Sequence, residues 1–196
     1  MDTYNVVAQF FATIQPLIER SPDLHSLPID ARRALSKHNL NTAGATNGIL
    51  VCRELDMYKN PHFWNPCIIN YGPEFMAECV RNSARCDSNS NLIKMMLFVI
   101  TFSSNCSIVV YNSEEPLTTM ISSMELIRIQ NKYVTMLWKY LVYLYGFKDA
   151  VIRYSYIIKH ILNVIRLLSI MPQNETYDLM IETIAIETEQ ALIIKD

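Results

Sequence analysis

The chain has little glycine, four residues in 196, and no stretch dominated by proline, serine or charge. That scarcity excludes a collagen-like or low-complexity chain and argues against a loop-rich fold. Paired cysteines are missing too. Cys52, Cys67, Cys79, Cys86 and Cys106 are widely spaced, form no Cys-x-x-Cys unit and have no histidine at ligand spacing. No metal site and no disulfide framework are expected, and the odd count points to reduced thiols. A basic excess is absent: the net charge is −2, so the chain offers phosphates no general attraction and is not expected to bind nucleic acid. The start, Met1-Asp2-Thr3-Tyr4, lacks the basic residues of a secretory leader. The most apolar run, residues 92–102, carries Lys94 and is too short to span a bilayer, so no membrane role is expected. No nucleophile-elbow, zinc-protease or phosphate-loop motif occurs, and His25, His38, His62 and His160 adjoin no cysteine or serine motif. The expectation is a protein that is not an enzyme and has no cofactor.

What is present is helical periodicity. Half of the residues are hydrophobic (51%), enough for one substantial core over residues 1–196 as a single domain. Between residues 124 and 145, Leu126, Ile129, Tyr133, Leu137, Tyr140 and Leu144 recur at steps of three and four. Between residues 150 and 168, Val151, Tyr154, Ile158, Ile161, Ile165 and Leu168 do the same. Gly146 is the stop signal between them and Asp149 the next cap, which predicts a packed helical hairpin.

Further helices are expected over residues 3–20, with a kink or a break at Pro16; from Asp30 to about Leu55, with a bend at Gly44 or Gly48; and over 74–84. Residues 91–103 read as a helix buried all round, and 177–194 as one or two terminal helices. Residues 112–116 read as a loop with a capped helix start near Thr118, and Cys67-Ile68-Ile69-Asn70-Tyr71-Gly72 as one short β-hairpin. The expected class is all-α.

Four segments, in order, resemble the nuclear-receptor ligand-binding domain. Leu24-His25-Ser26-Leu27-Pro28-Ile29-Asp30-Ala31-Arg32, followed by Leu35, is similar to the signature F-x-x-L-P-x-D-D-Q-x-x-L-L between the family's third and fourth helices. Leu24 stands for the phenylalanine, Ala31 for one aspartate and Arg32 for the glutamine. Residues 97–103 resemble the end of the eighth helix; Ile127-Arg128 with Tyr133, Leu137 and Tyr140 resemble the ninth; and residues 153–168 resemble the tenth. The likeness begins at the family's third helix, and no double-zinc DNA-binding module precedes it in this sequence.

The resemblance implies a three-layer antiparallel helical sandwich in a nuclear transcription regulator. It would enclose a small lipophilic molecule and dock coregulator LxxLL helices in a groove held by a cation at one end and a carboxylate at the other. The implied pocket residues are Val6, Val7, Phe10, Ile14, Asn47, Val51, Met76, Cys79 and Val80. The implied groove residues are Arg20, Lys37 and Glu182, although Glu19 falls where the family's principal lysine belongs and the last segment around Glu189 is a second candidate for the mobile helix. Lys159, Asn163 and Arg166 fall on the implied dimer surface of the tenth helix, for a homo- or heterodimer, although the family's arginine at the place of Arg166 implies an internal ion-pair partner there. The same fold used without a ligand, as a dimerisation or coregulator-binding module, accounts for these residues as well. Phe10, bulky at a pocket position, favours that second use.

Overall fold

The structure is a computed structural model that describes residues 3–14, 16–17, 20–103, 123–172 and 174–194. Among these the protein is all-α. Helix α1 spans Thr3–Ala12, α2 Pro22–His25, α3 Ile29–Glu54, α4 Pro61–Tyr71 and α5 Pro73–Arg85. Helix α6 spans Ser90–Thr101, α7 Ser123–Ser169 and α8 Glu175–Ile194, and a 3₁₀ turn occupies Met57–Lys59. The expected loop at 112–116 and the helix start near Thr118 lie outside the described residues. No helix among the described residues is long and apolar enough to cross a membrane.

Local chemistry sets these limits. Helix α1 ends before Arg20 because Pro16 has no N–H to give the Ala12 carbonyl. Residues 67–71, expected as a hairpin, belong to α4. Asn60 caps that helix, its side chain accepting from the His62 amide at 3.0 Å, and Pro61 occupies the first turn. Gly72, at φ 82°, ends the helix and leads directly into α5. Both helix signals flank Ile68 and Ile69, and they outweigh the β preference of those two branched residues.

Helix α3 is the centre of the molecule and runs unbroken through Gly44 and Gly48. It feeds every part of the core: Leu35, Ala43 and Leu50 join α2, α6 and α7; Leu40 and Cys52 join α1, α4, α5 and α8; Ile49 joins α5 and the far end of α7. Being covered on most sides, it also buries polar residues, and two of these reach carbonyls of other segments. Asn39 Nδ2 donates to the carbonyls of Thr101 (3.0 Å) and Ser103 (2.7 Å) at the end of α6. Arg32, 6% exposed, donates to the Leu27 carbonyl at 2.8 Å and to that of His25 at 3.4 Å after α2. Each contact satisfies carbonyls that a helix end leaves open.

Helix α7 is the expected hairpin, made of two arms that meet at Gly146 (φ 73°, ψ 167°). This positive-φ geometry suits glycine and redirects the chain in one residue. Helix resumes at once, so residues 147–149 join the second arm rather than leading up to a cap at Asp149. Trp138 and Tyr154, each about two turns from Gly146, meet edge to face at 5.9 Å. In the first arm Leu126, Ile129, Leu137 and Leu141 are the buried face. In the second arm it is Ala150, Ile157, His160, Ile161, Val164 and Leu167. The buried face there is displaced from the expected stripe, and Val151 is exposed.

Candidate functional site: an apolar cavity, an outer strip and a groove

Three features of the fold are candidates for function. The first is a cavity of about 90 Å³ between α1, α3, α4, α5, the end of α7 and α8. Its α3 wall carries Gly44, Gly48 and Cys52 one turn apart, a run of small residues that lets two phenylalanines of α1 descend onto the helix. Phe11 rests on Gly44 and Phe10 on Gly48. Phe63, Phe75, Tyr71 and Tyr177 close other sides, with Phe10–Phe63 ring centroids 6.5 Å apart and Phe11–Tyr177 6.0 Å apart. Tyr177 fixes α8 against α3 by donating its hydroxyl hydrogen bond to Asn41 Oδ1 at 2.7 Å.

Cys52, Cys67 and Cys79 also line the cavity. Burial pushes the Cys52 and Cys67 thiols up to about 12, and burial raises Cys79 as well. All three are therefore neutral near pH 7 and weak nucleophiles. Among the described residues no group of three histidine, cysteine or acidic side chains is placed to hold a metal ion.

Of the pocket residues expected from the sequence, Val7, Phe10, Met76 and Cys79 line this cavity. Val6 and Ile14 are buried in the core on either side. Asn47 instead secures the end of α1, donating to the Phe10 carbonyl at 2.8 Å and to Thr13 Oγ1 at 2.9 Å. Val51 packs half-buried beside Cys52, and Val80 is exposed. Sequence reasoning missed Phe11, Tyr58 and Tyr177. The four-residue spacing of Gly44, Gly48 and Cys52 was the available signal for the wall they face.

The second feature is the outer side of the second arm of α7. Ile152, Tyr156, Leu162 and Ile170 are 46%, 61%, 59% and 52% exposed. Their spacing, with Lys159 and Arg166 between them, sets them on one stripe. Asn163 is half-buried at the edge of that stripe. The three residues expected at a dimer surface thus lie together.

The third is a surface groove between the end of α1, α6 and the first arm of α7. It consists of two adjoining depressions of about 540 and 520 Å³ that share Thr13, Leu17, Met95 and Phe98. Its floor is α6, where Met95 and Phe98 are half-buried although the sequence predicted a helix buried all round. Arg20 lies here, exposed. Among the described residues no α8 side chain lines either depression, and Glu182 is exposed on α8. Arg20 and Glu182 therefore share no groove. The Lys37 and Glu189 side chains and Glu19 lie outside the described residues.

Compared with protein-family models, with curated proteins and with solved structures, the chain matches none.

Proposed function

We propose that this chain is a helical interaction domain of nuclear-receptor ligand-binding type that dimerises through the outer stripe of α7 and works without a ligand. On this reading its helices stack as a three-layer antiparallel sandwich, and it acts in the nucleus on other regulators rather than on DNA.

The observation that carries it is the stripe itself. Four large apolar side chains in series, each about half exposed, are more than a soluble helix usually leaves in water. The basic residues between them, Lys159 and Arg166, suit a rim that sets register while the apolar residues supply the burial. A stable interface needs about 800 Å² from each partner. The stripe extends over about five turns of helix, and Tyr143 and Phe147 are also exposed beside the kink.

The ligand-regulated reading has one observation in its favour, the apolar cavity. Its size works against it: drug-sized ligands occupy about 300–1,000 Å³, and even an engineered cavity that admits benzene is about 150 Å³. A lipophilic molecule would have to lift Phe10 or Phe11 off the glycines beneath. Coregulator docking through Arg20 and Glu182 would similarly require two groups that do not line a common groove.

Sedimentation equilibrium on the wild type and on Leu162→Arg and Tyr156→Arg tests the proposal. The expected result is a wild-type dimer at micromolar concentration that both variants convert to monomer with unchanged helicity. A wild type that stays monomeric, or a dimer indifferent to both substitutions, would overturn it.

A further inference from the structure

We propose that the groove over α6 is a docking site for an amphipathic helix of a partner protein whose apolar stripe is flanked by acidic residues. The proposal is independent of dimerisation, since no groove residue lies on the second arm of α7.

The shape comes first. Leu17 forms one wall, Met95 and Phe98 the floor, and Tyr133, Met136 and Tyr140 the other wall. Along α6 the lining runs from Asn91 to Phe98, about 10 Å at the helical rise, which matches the distance between residues i and i+7 of a docked helix. Two methionines, Met95 and Met136 (the latter 48% exposed), give the surface the adaptability that helix-binding grooves use.

Charge then selects the occupant. Among the described residues the lining includes two cations and no carboxylate. Arg20 belongs to one depression only and Lys94 to the other only, so they stand at opposite ends; both are exposed. Neither takes part in a salt bridge among the described residues. Asp23, which accepts from the Tyr133 hydroxyl at the groove's edge, is neutralised by Lys132 at 2.8 Å. An apolar trough with an exposed cation at each end favours a helix with acidic residues on both flanks, and it disfavours a basic one by repulsion.

The test is fluorescence anisotropy on the full chain. The probe is a labelled 15-residue peptide with leucines at i, i+3, i+4 and i+7 and glutamates on both sides; the control peptide has lysines in place of the glutamates. The glutamate peptide should bind, and more weakly as salt rises. Arg20→Glu and Lys94→Glu should each weaken it about five- to tenfold, and the double reversal should favour the lysine peptide. Met136→Glu should abolish binding of both. All these side chains are exposed, so circular dichroism should report unchanged helicity; if a reversal unfolds the chain, the alanine variants at the same positions serve instead. Equal binding of the two peptides, or no response to the reversals, overturns the proposal. So does binding that appears only when Ile108, Val109, Val110 and Tyr111 are replaced by serine, which would give the groove to the chain's own residues 104–122. Self-association abolished by Lys94→Glu would give it to a second copy and would overturn the proposal equally.

Discussion

Phe11 lies so close to Gly44 that a Cβ built on that glycine would stand 2.0 Å from the ring carbon Cδ1. Alanine would therefore force α1 away from α3, although it favours helix over glycine by about 1 kcal/mol. Gly44→Ala should lose about 1–3 kcal/mol of stability as an overpacked core. At Gly48 the nearest ring atom of Phe10 is 3.0 Å away, so Gly48→Ala should cost clearly less. Urea denaturation of both variants measures the difference; a Gly44→Ala protein as stable as wild type would mean that α1 is not seated as described.

Tyr133 is held between two rings, Phe98 at 4.9 Å and Phe102 at 5.3 Å, and donates its hydroxyl hydrogen bond to Asp23 at 2.6 Å. Tyr133→Phe keeps the stack and removes the bond to the carboxylate together with the longer one to Ser21 Oγ at 3.5 Å, for a loss of about 1.5 kcal/mol. Tyr133→Ala removes both and should cost about 3 kcal/mol. Equal losses in the two variants would assign the whole contribution to the hydroxyl.

The turn after α5 is tied to the kink in α7. Asp87 Oδ2 accepts from Arg153 Nη1 at 2.7 Å, and the same guanidinium lies 3.9 Å from the centre of the Tyr145 ring. Arg53 adds a bond to the Cys86 carbonyl at 3.1 Å. Asp87 is the buried member, its side chain 6% exposed, so Asp87→Asn should cost about 2 kcal/mol. Arg153→Lys should also destabilise, because an ammonium cannot reproduce the planar contact with Tyr145. A double-mutant cycle on Asp87 and Arg153 should return a coupling of about 1 kcal/mol or more, and additive losses would disprove the link.

His160 is 2% exposed, and neither ring nitrogen meets a hydrogen-bond partner in the structure. Burial lowers it to about 4, assisted by the charge of Arg53 on α3. The neutral form is thus the one that folds. Because the folded value lies below the unfolded one of about 6.5, its contribution is complete above that pH and is lost as pH falls toward 4. The loss should approach about 3 kcal/mol. Thermal melts between pH 7 and pH 4 should show a decline that is flattened in His160→Leu; an unchanged slope in that variant would place the acid sensitivity elsewhere.

Most helices were legible in the sequence because their signals are local. The span from Asp30 to about Leu55 was drawn within a residue of α3, and Gly146 was identified as the break in α7. Residues 67–71 misled because a short branched run reads as strand until the Asn60 cap and the Gly72 stop are weighed against it. The face of the second arm was misplaced for a different reason. Its inner and outer sides are both apolar, so periodicity alone did not tell Ile157 and Val164, which are buried, from Ile152 and Leu162, which are not.

The sequence by itself determined the all-α class, the hairpin at Gly146 and the placing of Lys159 and Arg166 along one helix, since helix periods, caps and glycine stops act within a few residues. The size of the cavity, the seating of Phe11 on Gly44 and the placing of Arg20 beside Met95 and Phe98 were decided only by the tertiary structure. Each depends on how closely two helices far apart in the chain approach, and that distance is set by the packing of all the side chains between them.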